Sequence, residues 1–458
     1  MKKIVFLLIV VAIAMLPLIG NKVVKNSITQ RLDTLNSYGL SSNLTKEEKS
    51  YLSTTLHYKL TITDEKKFLG YLEQYSSKQF PPYTRSLLDG VVFAIELSYS
   101  NIPFNEQLKI SLYPEQLSDS TMKTLRKESP QIAKFLTNLL QKRALQYNLE
   151  YGVVSGEFNG RLKDFNQQFT LEDTTKIAIQ FSGVHTHGKG MLLTPELFST
   201  TAKKFNVAIE QKQSNFNLML KEITTTSSFE SDTTYITSIA AKNLDIEASE
   251  NNKTPLKVKL VNFTTNLSSN TQSQDGEFFT KSSCESLSFS QANQSYSAKG
   301  INYELSLKKL QKKSYVKLHK LADFASNATI TPAMQKQALE NLVELIGYGL
   351  ELQVSDLSLK TLTLSNNKTI QGFKANLKLH LKRDDNFVQN FHNNMAEVEK
   401  NLTLKAKIAL SKELYILINQ LYPVEIMFAN YKNIQNNTVV FDVAYKDGIY
   451  TINNKKVQ

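Results

Sequence analysis

Two histidines separated by one position, His185 and His187, are the residues of this chain that most suggest chemistry. On a β-strand, residues i and i+2 point to the same side, so both imidazoles could ligate one metal ion. A zinc site needs at least one further ligand, and no histidine, cysteine or carboxylate elsewhere shows a spacing that would supply it. We therefore predict no metal here and place both histidines in an exposed turn.

The same segment, residues 183–190, comes within one residue of a phosphate-binding loop. In such a loop the residue after the lysine is Ser or Thr, whose hydroxyl holds Mg²⁺. Here Gly190 follows Lys189, and no long helix is predicted after it. We interpret the segment as a glycine turn and expect no nucleotide cofactor.

The single cysteine, Cys284, precedes a stretch of alternating apolar residues. A thiol nucleophile needs a base held nearby, and no flanking histidine suggests one, so we expect a strand-edge or half-buried thiol. One cysteine in 458 residues also excludes an internal disulfide framework and any cysteine-rich metal site. The chain contains neither Gly-x-Ser-x-Gly nor His-Glu-x-x-His, and we predict no catalytic residues, no cofactor and no enzyme activity.

Asn401 lies in the segment Glu-Lys-Asn-Leu-Thr, which fits the acidic extended glycosylation sequon that some bacteria use. Such a pattern arises readily by chance in a chain rich in Asn and Thr. A helical conformation would make the site less favourable, so the sequence leaves the modification of Asn401 open.

The charge of the chain invites a comparison with nucleic-acid-binding proteins. Lys and Arg number 54 against 42 Asp and Glu, which gives a net charge of +12. The arginines are scattered, whereas specific nucleic-acid surfaces favour arginine clustered on one face. We predict no nucleic-acid partner and interpret the lysines as a solvated surface, with a weak attraction to anionic lipid headgroups as the alternative.

Length and composition set the class of protein. With 458 residues and 41% hydrophobic side chains, the chain is globular and long enough for two or three subdomains. The mean hydropathy of −0.29 and the presence of only one long apolar run exclude a protein with several membrane spans.

The N-terminus carries that apolar run. Lys2 and Lys3 precede uninterrupted apolar side chains and one proline from Ile4 to Ile19, which predicts export of the chain. No clean cleavage site follows, so we favour an uncleaved signal anchor that forms a transmembrane helix over residues 1–20; a cleaved signal peptide is the alternative. This predicts a single-pass protein of the bacterial inner membrane with its body in the periplasm.

Periodicity predicts the elements beyond the anchor. An apolar stripe at helical spacing, including Ile28 and Leu32, predicts a juxtamembrane amphipathic helix over 21–40. Clean alternation from Leu52 to Ile62 predicts a strand with one apolar face, and we expect a β-rich region over 41–310. Helices and strands alternate over 311–458. Two hairpins are predicted there, one turning at 365–368 and one at Asp447-Gly448.

The fold class that follows is α+β. We expect the N-terminal transmembrane helix to be followed by a mainly antiparallel β-sheet body, curved and backed by helices. Alternating strands imply a sheet with one apolar and one polar face.

Four segments resemble one protein family. They are Lys49 to Thr54, Ser100 to Phe104 leading into 108–114, Val398 to Lys407, and Tyr445 to Asn454. On these and on the order of its elements, the chain resembles the YdgA-like family of bacterial inner-membrane-anchored proteins of unknown function. The resemblance implies an N-terminal anchor and a periplasmic body, and leaves a homodimer open; it implies no activity and no catalytic residue.

Two classes of function stay open. The first is a non-enzymatic, membrane-anchored periplasmic protein with a role in cell-envelope maintenance, whose sheet, curled over its apolar face, holds a lipid or another extended apolar ligand. The inner-membrane lipid bilayer is then its first partner. The second is a protein-interaction scaffold or homodimer at the inner membrane; a hydrolase is less favoured than either.

Overall fold

The computed structural model describes every residue except 1–20, 23, 77–79, 81–82, 103–106, 172–173, 193, 232, 251–252, 274, 326–330, 423 and 458. The chain divides into two units: the first ends at Lys212, and the second is Gln213–Gln458. Each unit contains its own antiparallel strands. Apolar and polar residues that alternate along a strand suit a sheet whose two faces differ in polarity.

The first unit contains ten strands and five helices among its described residues. Its helices are α1 (24–36), α2 (Glu65–Ser76), α3 (Tyr83–Leu88), α4 (Asp119–Glu128) and α5 (Pro130–Gln141). Its strands are β1 (Leu40–Lys49), β2 (Ser53–Ile62), β3 (Val92–Ser100), β4 (Gln107–Gln116), β5 (Tyr147–Gly152), β6 (Glu157–Leu162), β7 (Phe165–Thr170), β8 (Lys176–Ser182), β9 (His185–Met191) and β10 (Thr194–Glu210). Strands β1 to β6 pair in chain order, β9 pairs with β6 and β10, and β8 pairs with β7 and β10.

The core of the first unit confirms the alternation predicted for β2. Leu56, Tyr58 and Leu60 are buried together with Leu97 of the neighbouring strand, and Leu32 of α1 packs on them. The remaining apolar residues of the α1 stripe also pack against this cluster. The apolar stripe of the predicted juxtamembrane helix therefore packs against the sheet of its own unit.

The second unit contains the longest strands of the chain. Its helices are α6 (Lys312–Ala325), α7 (Pro332–Gly347), α8 (Phe387–Asn393), α9 (Met395–Asn401), α10 (Lys412–Leu421) and α11 (Val424–Phe428). Its strands are β11 (Ser214–Ser231), β12 (Thr234–Glu250), β13 (Leu256–Asn270), β14 (Asp275–Gln291), β15 (Gln294–Gln311), β16 (Glu351–Thr363), β17 (Thr369–Leu381), β18 (Leu402–Ser411), β19 (Asn433–Gln435), β20 (Thr438–Lys446), β21 (Ile449–Ile452) and β22 (Lys455–Lys456). Strands β11 to β18 pair in chain order, and β20 pairs with β18 and with both β19 and β21.

Both predicted hairpins are confirmed. Strands β16 and β17 are joined by residues 364–368, where Asn367 has a positive φ of 62°. Strands β20 and β21 are joined by Asp447 and Gly448, with φ of 51° and 77°. Positive φ at both central residues is the geometry of a two-residue hairpin turn whose twist matches that of its strands.

The predicted transmembrane helix requires a correction. Residues 1–20 lie outside the described part of the chain, and no helix that the structure does describe is long and apolar enough to cross a bilayer. Helix α7, for example, has 16 residues, fewer than the roughly 20 apolar residues that a span needs. For the described residues, the fold class is corrected to a mostly antiparallel sheet without a spanning helix, and the single-pass inner-membrane location that depended on such a helix is corrected with it.

The expectation of a sheet backed by helices holds for part of the second unit. Its helices contact β14, β15, β17, β18 and β20. Two clusters of buried side chains lie there, one around Tyr415 and Phe441, the other around Leu381 and Phe387. Within the described residues, neither cluster includes a side chain from β11 to β15.

Candidate functional site

Four adjacent strands of the second unit, β15 to β18, align their apolar side chains in four rows of four. We call this set the apolar face. Its rows are Ile301, Leu359, Phe373 and Leu410; Tyr303, Leu357, Ala375 and Ile408; Leu305, Val354, Leu377 and Ala406; and Leu307, Leu352, Leu379 and Leu404.

Polar residues alternate with the apolar face along the same strands. Between Ala375, Leu377 and Leu379 of β17 stand Asn376 and Lys378, both exposed. Because successive side chains of a strand point to opposite faces, the reverse side of this sheet is polar. An ion pair on that side joins Lys281 of β14 to Glu304 of β15 at 3.1 Å. The sheet therefore has one apolar and one charged face.

One row of residues interrupts the pairing between neighbouring strands from β11 to β17, and we call it the interruption row. Pairing of β13 with β14 stops at Val261–Ser286 and resumes at Phe263–Cys284, and the neighbouring ladders skip the same row. The members of this row are Glu222, Lys242, Asn262, Glu285, Gly300, Lys360 and Gly372. On β11, β13 and β15 the residue of this row has a left-handed backbone conformation: φ is 49° at Glu222, 49° at Asn262 and 64° at Gly300.

The interruption row keeps the apolar side chains on one side of the sheet. In β13 the alternating half-buried positions before it are Leu256, Val258 and Leu260, with Val261 half-buried beside the row, and after it they continue at Phe263 and Thr265. Strict alternation would place Leu260 and Phe263, three residues apart, on opposite faces. Irregularities of this kind re-aim the side chains of a strand. On β15 to β17 the first row of the apolar face lies directly beside the interruption row.

The apolar face is covered in part at its β18 edge, where Ile408 and Leu410 pack against the buried cluster of Tyr415 and Phe441. None of its sixteen side chains is buried, and Leu357 is 40% exposed. The buried residues of these strands lie beyond its ends: Leu310, Ile370 and Leu381 are 1%, 2% and 3% exposed. Large apolar side chains in the middle of a sheet are usually buried by a second layer, so this surface is the most unusual feature of the chain.

Three different borders limit the apolar face. On one side β20 continues its rows, but there Val439 and Phe441 are buried under Tyr415 and other side chains of α10 and α11. At one end, Leu350, Leu381 and Leu402 belong to the buried cluster beneath α7 and α8. On the other side the rows continue onto β14, where their members are mostly small or polar: Cys284, Ser282, Thr280 and Phe278.

Cys284 lies on β14 at this border, buried with 8% exposure. Its Sγ contacts the carbonyl oxygens of Val261, at 3.6 Å, and Ser286, at 3.3 Å. Burial raises the pKa of the thiol, which disfavours the reactive thiolate. The sequence predicts a strand-edge or half-buried thiol, whereas Cys284 is buried on a strand that pairs with a neighbour on each side.

The histidine pair lies on a strand, so the predicted exposed turn is wrong. His185 and His187 are exposed on one face of β9, where they pair with Arg161 and Asn159 of β6. His187 Nδ1 is 2.8 Å from the side-chain oxygen of Asn159. Among the described residues, no group of three His, Cys, Asp or Glu side chains is arranged to hold a metal ion.

The segment resembling a phosphate loop is extended as well. Gly183 has a φ of 63° and separates β8 from β9, whereas Gly188 lies inside β9. A Cβ at Gly188 would lie 2.2 Å from the ring of Phe158, so glycine is needed here because the aromatic ring covers it. The predicted glycine turn is confined to the single position Gly183.

Asn401 ends helix α9, and the sequon continues into β18. Its carbonyl oxygen accepts a hydrogen bond of 3.0 Å from the backbone N–H of Lys382. The helical position makes the site less favourable, and the modification of Asn401 stays open.

A charged cluster on the polar side of the first unit has no signal in the sequence. Glu96 accepts hydrogen bonds from the hydroxyl of Tyr113, at 3.1 Å, and from Arg143, at 2.9 Å, whose guanidinium lies over the Tyr113 ring. His57 Nδ1 is 4.0 Å from the same carboxylate. Burial, followed by the bond to Glu96, raises the pKa of Tyr113. Pairing between strands assembles these residues, and a single sequence does not show that pairing.

Strand alternation, by contrast, did signal part of the apolar face. The hairpin prediction covered β16 and β17, but the alignment of their rows with β15 and β18 depends on register.

Comparison with protein-family models, with curated proteins and with solved structures gives no significant match to this chain. The resemblance to the YdgA-like family therefore stays a prediction.

Proposed function

We propose that this chain binds the acyl chains of a lipid, or an equally extended apolar ligand, on the apolar face. The observation that carries the proposal is that none of sixteen aligned apolar side chains on four neighbouring strands is buried: fifteen are half-buried, two of them against the cluster beneath α10, and Leu357 is exposed. Removing apolar surface from water contributes roughly 25 cal/mol per Å², so a hydrocarbon ligand would gain from every row that it covers.

The dimensions of the apolar face suit hydrocarbon chains. Six residue steps along a strand extend about 20 Å, and three gaps between strands extend about 14 Å. The side chains are mainly leucine, and none of the sixteen is charged. An acyl chain needs no hydrogen-bonding partner, which is what such a surface offers.

A protein partner is the second candidate, and the composition of the face disfavours it. Protein interfaces are enriched in Tyr, Trp, Phe, Met and Arg, and these residues supply most of the binding energy. The apolar face contains one Phe and one Tyr, and the whole chain has no Trp. Aliphatic side chains of this kind favour a lipid over a second copy of the chain.

A matched pair of substitutions tests the proposal. Leu377→Asp places a charge in the middle of the apolar face, whereas Asn376→Asp places a charge on the reverse face one residue away. With an anthroyloxy-labelled stearate as probe, we expect the full chain to bind saturably and Leu377→Asp to bind at least about tenfold more weakly, since a charge facing hydrocarbon is costly. Asn376→Asp should bind like the unsubstituted chain.

Three results would overturn the proposal. The first is failure of the unsubstituted chain to bind the probe, and the second is equal binding by both variants. The third is a dimer in size-exclusion chromatography with light scattering that Leu377→Asp dissociates, because the occupant of the face would then be a second copy. Thermal melts of both variants provide the control for folding.

A further inference from the structure

A cavity of about 610 Å³ lies between the N-terminal half of α6 and the residue that follows α7. Its lining combines three lysines with one aromatic ring, one aliphatic side chain and one amide, and includes no acidic residue. We call it the lysine cavity. The lining residues are Gln311, Lys312, Lys313, Val316, Lys317 and Tyr348.

The cavity lies close in sequence to one end of the apolar face. Gln311 is four residues after Leu307 on β15, and Tyr348 is four residues before Leu352 on β16. Leu307 and Leu352 pair with each other in the last row of the face. The extended chain from Leu307 to Gln311 spans at most about 13 Å, so the cavity lies within the length of one acyl lipid from that row, beside the buried cluster beneath α7 and α8 that borders the same end of the face.

Two of the lysines that line the cavity form no ion pair within 4 Å among the described residues. The neighbouring Lys309 and Lys317 pair with Glu351, at 2.7 Å, and Glu344, at 3.7 Å. Lys312 and Lys313 are exposed and form no ion pair in the described part of the chain. They also occupy the first turn of α6, where the helix dipole disfavours cations and no acidic residue offsets it.

An adjoining cavity of about 290 Å³ differs in its charge. It shares Lys313 and Tyr348 with the first cavity, but its lining adds three carboxylates, Glu344, Asp384 and Asp385. Asp385 already accepts a hydrogen bond of 3.0 Å from Arg383, and Asp384 accepts one from Asn390. An anion is therefore favoured in the lysine cavity and disfavoured in its neighbour.

We propose that the ligand of the apolar face is anionic and that its phosphate or carboxylate group binds at Lys312 and Lys313 in the lysine cavity. This inference rests on the proposed function, and it narrows the ligand to an amphiphile with one charged end. A free phosphate ion shares the chemistry of the head group, so the test must separate the two sources.

The test compares two lipids that differ in charge. Short-chain phosphatidylglycerol and phosphatidylcholine of equal acyl length are titrated as monomers into the full chain, and inorganic phosphate is titrated separately. We expect the anionic lipid to bind about tenfold more tightly than the zwitterionic one at low salt, because each lysine near an anionic headgroup adds to its attraction. The double variant Lys312→Gln/Lys313→Gln should lose that preference and keep its affinity for phosphatidylcholine.

The matched control is Lys374→Gln/Lys378→Gln, which removes two exposed lysines from the reverse face of β17. It should keep the preference for the anionic lipid. Equal affinity of the unsubstituted chain for both lipids would overturn the inference and leave the proposed function standing. Binding of neither lipid would overturn both. Phosphate binding that disappears in the Lys312→Gln/Lys313→Gln variant, without any lipid preference, would assign the cavity to free phosphate and overturn the head-group assignment.

Discussion

At the scale of single residues, a buried polar network joins the N-terminal helical segment to the sheet of the first unit. The Tyr99 hydroxyl donates a hydrogen bond of 2.8 Å to the side-chain oxygen of Asn21. Thr54 Oγ1 lies 3.1 Å from the same oxygen and 2.8 Å from that of Asn101. All four residues are at most 5% exposed. Such a network stabilises the fold only while each member keeps its partner.

The ionisation of Tyr99 gives a prediction about pH. Burial raises the pKa of Tyr99 to about 12, above the value of about 10 in an unfolded chain. The folded state therefore favours the neutral phenol. Its contribution to the free energy of unfolding is complete below pH 10 and is lost as the pH rises towards 12.

The chain has 20 tyrosines and no tryptophan, so tyrosinate absorbance reports this titration directly. We expect Tyr99 to be among the late-titrating phenols, together with Tyr415, whose pKa is also raised to about 12, by burial and then by Glu425. Tyr99→Phe should remove one of them and lower the free energy of unfolding at neutral pH by about 1 kcal/mol. An unchanged late phase in this variant would contradict the burial of that hydroxyl.

At the scale of elements, the interruption row is the feature on which the apolar face depends. Gly300 belongs to this row on β15, directly before Ile301. Its φ of 64° suits glycine, and a Cβ there would lie 2.8 Å from Cβ of Lys360 on β16. Two physical effects therefore oppose a side chain at position 300.

We expect Gly300→Ala to lower the free energy of unfolding by more than about 1 kcal/mol, since backbone strain and a close contact add. Gly448→Ala is the matched control: its φ is 77°, but an added Cβ would meet no atom within 4 Å. Urea unfolding of both variants measures the difference. A loss for Gly300→Ala no larger than that for Gly448→Ala would show that the close contact between β15 and β16 is relieved without cost.

The elements also show what a single sequence can predict. The alternation in β2 and the hairpin turn at Asp447 follow from local periodicity and turn chemistry, and both are present. The histidine segment was misinterpreted because glycines at 183, 188 and 190 suggested a turn. The ring of Phe158, which requires Gly188 within a strand, comes from β6 and is visible only in the folded chain.

At the scale of the whole molecule, the sequence predicts the apolar alternation but not what covers it. Leu56 and Leu377 both lie in alternating strands, yet Leu56 is 0% exposed and Leu377 is not buried. The difference depends on whether a helix such as α1 packs on the strand, and periodicity carries no information about packing partners. The candidate site was therefore predictable as a class of surface, whereas its location on β15 to β18 was not.

The central claim is that the apolar face holds an acyl ligand, and the most direct test is to identify what the protein carries. The full chain, Leu377→Asp and Asn376→Asp are purified without detergent, extracted with organic solvent and analysed by mass spectrometry. The account predicts an acyl lipid in near-stoichiometric amount with the unsubstituted chain and with Asn376→Asp, and a marked loss with Leu377→Asp. Extracts with no acyl lipid, or with equal amounts from all three proteins, would contradict it.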